Sequence, residues 1–269
     1  MTETAEGIVR RAAAAFNAGR RGEAKNLCER GLRQTPGEPM LRQLLAAVLF
    51  ANGEIAPARA QIEASVAGRP DHAAARLLAA RIARTDKDFD AALAHLDAAI
   101  ALAPQREAFV EKARTLDQAG LTPQAREAWQ AIQNVIPDHQ EAAARLGRFA
   151  FEDGDLASAA TQLARATVGD APASVWFDLG LVRQDQRDYA GAAIAYRKAI
   201  ALKPDHAEAA LNLGIVLQEA GDLDAAMTAY AKAYRLRSDM FGSIAMALTS
   251  SPHGRLWLDE ETLRGSLGG

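Results

Sequence analysis

Six of the chain's prolines, Pro36, Pro70, Pro104, Pro137, Pro172 and Pro204, follow one another at intervals of 34, 34, 33, 35 and 32 residues. Pro172 sits one residue late, which accounts for the long interval and the short one after it. Proline cannot continue a helix interior, so each marks a gap between helices. A chain punctuated at this stride is a repeat, built from units too short to bury a core alone. Three of the prolines open the same phrase, Pro-Asp-His, at 70–72, 137–139 and 204–206. Its aspartate is expected to cap the helix that follows, accepting from the unpaired amides of the first turn. About seventeen residues after each proline the text breaks again, at Gly53, Lys87, Gly120, Gly154 and Gly221. Glycine ends a helix in the left-handed conformation without penalty. Asp155, Asp188 and Asp222 follow such turns and are expected to open a second helix.

Composition agrees with closely packed helices. Hydrophobic residues make up 49% of the 269 residues but aromatics only 6%, and alanine carries much of the difference. Alanine has the highest helix propensity, whereas a sheet would call for β-branched and aromatic residues. The formal charge of −3 leaves no basic footprint for nucleic acid. A single cysteine, Cys28, excludes an internal disulfide and offers no zinc pattern. The start, MTETAEGIVRR, lacks the layout of a secretory signal, and no apolar run reaches the length of a membrane span. The expectation is a soluble cytoplasmic protein.

Read in units of helix, turn, helix and proline, the chain resembles the tetratricopeptide-repeat family. The sixth unit carries the family's pattern with Trp176, Leu179, Gly180, Ala192, Tyr196, Ala199 and Pro204. The seventh gives Leu213, Gly214, Ala226, Tyr230 and Ala233, with Ser238 in place of proline. The fifth gives Leu146, Gly147, Ala159, Leu163 and Ala166. Units one to four are degenerate but keep Ala24, Ala58, Ala92 and Ala125 where the two helices touch. The resemblance implies an all-α, right-handed superhelical solenoid of about seven repeats. Their bounds are about 5–38, 39–72, 73–106, 107–139, 140–172, 173–206 and 207–240, which makes residues 1–240 the solenoid. Residues 241–269 form a C-terminal cap and tail. Trp129, Trp176, Tyr196 and Tyr230 are expected to fill the space between units, and Cys28, in the slot of Trp129 and Tyr196, to be buried.

No catalytic constellation stands out. His72, His139 and His206 hold the same place in different repeats, so they are spread along the array, while zinc needs its ligands to converge on one point. His95 lies on a second helix and His253 in the tail. There is no glycine-rich phosphate loop after a strand and no G-x-S-x-G elbow. Neither a metal, nor a cofactor, nor enzymatic activity is expected.

In this family the first helices line a concave face where partners bind. Counting from the prolines places Ala13, Ala47, Arg81, Arg114, Arg148, Leu181 and Ile215 at one inward slot, although the fourth unit is one residue short. Arg84 and Arg145 lie one turn from Arg81 and Arg148. These five arginines are expected to form a ladder that grips carboxylates of an acidic peptide, since a guanidinium can hold a carboxylate with two bonds. The alternative is that Glu111, Asp117, Glu141 and Glu152 neutralise them within the groove. Exposed ion pairs contribute about 0.2–1 kcal/mol each, while micromolar affinity needs about 8 kcal/mol. Apolar anchors are therefore required. Phe50, Phe151 and Phe177 are the candidates, with Leu181, Leu211 and Ile215 further along. Asn212 matches an asparagine of the family members that clamp chaperone C-termini, but Asp178 departs from their pattern in the preceding repeat and the neighbouring lysines are absent.

The function expected is that of an interaction scaffold or adaptor for a protein or peptide segment. Two alternatives stand beside it. One is a regulatory or targeting arm of a bacterial sulfotransferase or glycosyltransferase, the enzyme then being a separate partner or the rest of a longer protein. The other is an RNA-binding solenoid, which the acidic balance opposes. Residues 241–249 are expected to form a capping helix, and Asp259, Glu260 and Glu261 to start another. Leu256, Trp257 and Leu258 form an apolar knot that either folds onto the last repeat or docks into a partner or a second copy.

Overall fold

The computed structural model describes residues 4–250 and 260–268. Pro252, His253, Gly254, Leu256, Trp257, Leu258 and Asp259, which carry the reading of the tail, lie outside them. Among the described residues the chain is all-helical, with no strand. The helices run α1 (Ala5–Asn17), α2 (Arg21–Gln34), α3 (Pro39–Ala51), α4 (Ile55–Gly68), α5 (Ala73–Thr85), α6 (Phe89–Leu102), α7 (Arg106–Gln118) and α8 (Thr122–Val135). They continue with α9 (Gln140–Glu152), α10 (Leu156–Ala166), α11 (Ala173–Asp185), α12 (Tyr189–Leu202), α13 (Ala207–Glu219) and α14 (Leu223–Leu236). A 3-10 turn at Ser238–Met240 leads to α15 (Phe241–Ser250), and α16 (Glu260–Gly268) closes the described chain.

The helices pair as hairpins, α1 with α2, α3 with α4, α5 with α6, α9 with α10, α11 with α12 and α13 with α14, and the turn inside each explains the spacing of the glycines. At the end of α3 the Gly53 amide donates to the Phe50 carbonyl and the Glu54 amide to Leu49, which recovers carbonyls the helix would leave unpaired. The residue between must be left-handed. Gly19, Gly53, Gly120, Gly154 and Gly221 take it at φ +73 to +86°, and Lys87 and Arg187 hold the same conformation at φ 64° and 60°. Lys87 was legible by position, whereas Arg187 carries no such mark in the text. Asp155, Asp188 and Asp222 cap the second helices as expected, accepting from the amides of Ser158, Gly191 and Ala225, and Asp88 does the same for Ala91.

The Pro-Asp-His phrase works differently from its sequence reading. The cap is the histidine, not Asp71, Asp138 or Asp205. The Nδ1 atoms of His72, His139 and His206 accept the amides of Ala75, Ala142 and Ala209 at 3.2–3.4 Å. The helices begin one residue later than an aspartate cap requires, so the imidazole stands where a side-chain acceptor reaches the third helical amide.

The chain divides into two compact units, residues 1–128 and 129–269, with the division inside α8. In the first, a core of Ile8, Leu27, Leu41, Val48, Ile62 and Ile82 surrounds the fully buried Ala24, Cys28 and Ala58. In the second, Tyr196 and Tyr230 are wholly buried opposite glycines. A methyl group added at Gly214 would stand 2.5 Å from the Tyr230 ring, and one at Gly147 would stand 2.7 Å from Leu163. Glycine is required there because the helices pack against each other's backbone. Trp129 is also fully buried, while Trp176 is half-buried beside the same cores. At the C-terminal end Ile244 and Leu248 of α15 and Leu263 and Leu267 of α16 join the core of the last hairpins. Arg264 of α16 lies 3.9 Å from the centroid of the Phe241 ring and donates to the Tyr234 hydroxyl at 3.2 Å.

Candidate partner-binding face of the first helices

The five arginines singled out by counting fall into two groups, one in each unit. In the first unit, Arg81 and Arg84 on α5 and Arg114 on α7 converge on a single carboxylate, Glu111 of α7. Arg84 Nη2 lies 3.1 Å from Oε2, Arg114 Nη1 2.9 Å from Oε1 and Arg81 Nε 3.4 Å from Oε1. Arg81 also pairs with Glu107, and Arg84 Nη1 donates to Gln118 Oε1 at 3.0 Å. Exposure separates the two signs. The Glu111 side chain is only 5% exposed, against 32%, 20% and 38% for Arg81, Arg84 and Arg114. The carboxylate is thus a buried base plate and the guanidiniums its outer rim. A buried carboxylate is tolerated where cations surround it.

In the second unit the same helix position recurs with Asp178 of α11, three residues before Leu181 as Glu111 is three before Arg114. Arg148 Nε stands 3.9 Å from Asp178 Oδ2, and the Arg148 side chain is 53% exposed. Burial raises the pKa of Asp178, and the charges of Arg148 and Arg145 on α9 pull against that rise. Arg145 is half-buried.

The residues expected as anchors are half-buried and already engaged within the chain. Phe50 lies against the core of the first hairpins, and Phe151 against the cluster of α9, α10 and α11. Phe177 is in ring contact with Tyr196 at 5.8 Å and with the capping His206 at 4.7 Å. The Tyr196 hydroxyl donates to Gln184 Oε1 at 2.8 Å, and burial raises its pKa while the nearby Asn212 side chain pulls against that rise. Leu181, Leu211 and Ile215 are half-exposed on α11 and α13. Counting the repeat did not reveal Glu107 and Gln118 as partners of Arg81 and Arg84. Their contacts depend on how far α5 and α7 overlap, which spacing alone leaves open.

Among the described residues no three His, Cys, Asp or Glu side chains are grouped to hold a metal. Burial pushes the Cys28 thiol up to about 12, so it is a packing residue without thiolate character. No helix among the described residues is long and apolar enough to cross a membrane.

Profiles described as tetratricopeptide repeat match residues 15–82, 110–175 and 177–241. The chain belongs to the tetratricopeptide-repeat family. No curated protein matches it in sequence. Among solved structures it is similar to a chain of the APC/C hetero-tetramer Cut9–Hcn1, at 16% identity and a TM-score of 0.65, over 87% of this chain and 48% of that one. It therefore spans about half the length of that relative. It is similar to pilF of Pseudomonas aeruginosa at 16% identity and a TM-score of 0.65, over 74% of this chain and 92% of that one. A third likeness is to YrrB, described as a TPR protein with an unusual peptide-binding site, at 18% identity and a TM-score of 0.53, over 68% and 95% of the two chains. At these identities the likeness is one of fold. The fold and the family are those of protein-interaction scaffolds, which are typically non-catalytic.

Proposed function

We propose that the chain is an adaptor that holds an acidic polypeptide segment against its first helices. The observation that carries this reading is the layering around Glu111. One buried carboxylate fixes three guanidiniums whose outer edges face solvent, so their rotamers are set before a partner arrives. Arginines ordered in advance lose less side-chain entropy on binding than free ones. The pairing also limits their strength, since part of each charge is already answered. Half-exposed Leu181, Leu211 and Ile215 supply apolar area in the second unit. At most about a third of each is still exposed, so covering it contributes up to about 0.5–1 kcal/mol, comparable with an exposed ion pair at about 0.2–1 kcal/mol.

The test begins with the full chain as bait and chemical cross-linking of the co-purified protein after nuclease treatment. Cross-links on the odd-numbered helices are expected. A transferase among the captured proteins would identify the partner's class, and loss of the partner on nuclease treatment would point to RNA. With the partner in hand, Arg81→Glu and Arg148→Glu should each weaken binding several-fold and flatten its salt dependence. Unchanged affinity and salt dependence in both variants would remove the arginines from the interface.

A further inference from the structure

A second surface in the C-terminal unit has the opposite electrostatic construction. A groove of about 420 Å³ runs between the second helices α12 and α14 and is also lined by α13. Ile200, Leu213 and Leu217 give it an apolar lining, and Arg197, Lys232 and Arg235 stand around it. None of the lining residues is a carboxylate. Arg197 and Arg235 are exposed and Lys232 is half-buried. Where Arg81, Arg84 and Arg114 rest on Glu111, these three cations meet no carboxylate among the described residues.

We propose that this groove is a second docking site and that its occupant is an acidic amphipathic segment of a partner protein. An aliphatic side chain of the partner would enter the recess over Ile200, Leu213 and Leu217. Flanking carboxylates would meet Arg197, Lys232 and Arg235. Three features select this occupant. The volume lies within the roughly 300–1,000 Å³ of ordinary binding clefts, so it takes side chains rather than a flat surface. The cations stand on two helices around the recess, which suits several carboxylates spaced along a segment better than one headgroup. Cations without partners draw an oppositely charged chain by long-range attraction and select against a basic one. An anionic bilayer is disfavoured because a recessed apolar floor cannot reach the acyl region, where interfacial anchors must insert.

The experiment uses the full chain with labelled isoleucine and leucine methyls. The probes are a synthetic amphipathic peptide of leucine, alanine and glutamate, its counterparts with glutamine or lysine for glutamate, laurate, and phosphatidylglycerol vesicles. The acidic peptide is expected to shift the Ile200, Leu213 and Leu217 methyls, and the lysine peptide is not. Arg197→Glu with Lys232→Glu and Arg235→Glu should weaken that binding at least about tenfold, and the glutamine peptide should bind the unaltered chain correspondingly less well. The glutamine arm keeps the test valid if the triple variant folds poorly. Arg81→Glu and Arg148→Glu should leave this binding unchanged, which separates it from the first-helix face. Equal binding of acidic and basic peptides, or shifts confined to Leu181 and Ile215, would overturn the proposal. So would binding of laurate or vesicles without the acidic peptide.

Discussion

Gly180 and Gly22 respond to an added methyl group in opposite ways. At Gly180 the new carbon would stand 2.4 Å from the Tyr196 ring, which is held by its hydroxyl bond to Gln184. Gly180→Ala is expected to destabilise by about 1–3 kcal/mol through overpacking, less the gain of up to about 1 kcal/mol in helix propensity. Gly22, in α2, has nothing within 4 Å of such a carbon. Gly22→Ala should stabilise by about 0.4–1 kcal/mol, and urea melts of the two variants check the contrast in sign. The capping histidines add a pH term at the same scale. Burial chiefly, and then the charge of Arg69, holds the His72 pKa below its ordinary value of about 6.5. The neutral imidazole is the form that accepts the Ala75 amide. Its contribution is present above pH 6.5 and lost as pH falls through the folded pKa. His72→Asn keeps an acceptor that does not titrate, and should reduce the fall in Tm between pH 7 and 5. The sequence showed that Pro-Asp-His starts a helix but not which residue caps it. Both side chains can accept, and a shift of one residue in the helix start decides between them.

At the level of the helix and its turn, the regularity of the text and the exceptions to it have one cause. The hairpin turn demands a left-handed residue, and five positions meet the demand with glycine. Lys87 and Arg187 meet it with a Cβ, which costs about 1–2 kcal/mol against a glycine entropy of about 0.5–1. Lys87→Gly and Arg187→Gly should therefore each raise stability by about 0.5–1 kcal/mol in thermal or chemical melts. Most of the turns, the aspartate caps at Asp155, Asp188 and Asp222 and the close-packing alanines were legible, because each is imposed by backbone geometry that repeats with the chain; the turn at Arg187 was not. The arginine clusters were legible only as a row of positions. That three guanidiniums share Glu111 depends on side-chain reach between α5 and α7, which periodicity does not encode. The groove of α12 and α14 went unread for another reason. Its cations lie on second helices, outside the face to which the family resemblance directs attention.

For the molecule as a whole, ionisation sets an acid limit. Hydrogen bonds from Lys25 and Arg59 hold Glu54 and Asp88 below the usual carboxylate range, and the Ser158 side chain and amide do so for Asp155. Arg237 lowers Asp239 in the same way, and Glu208 is lowered by its own amide and then by Arg237. Asp178 works in the other direction. With five groups lowered, the unfolded chain binds more protons in the acid range, so stability rises with pH there. Calorimetry from pH 5 to 3 should show Tm falling, and a high-salt buffer should weaken the part that comes from exposed pairs. The repeated caps have a consequence of another kind. His206 precedes α13 as Pro172 precedes α11, so a tandem copy of residues 173–206 placed after His206 begins behind a capping histidine and ends in the native junction with Ala207. A gene segment of this stride can be duplicated in frame at this junction with the histidine cap of α13 kept and the added helix capped in the same way. Repeat number is then open to change by recombination, and related genes should differ in length by whole hairpins.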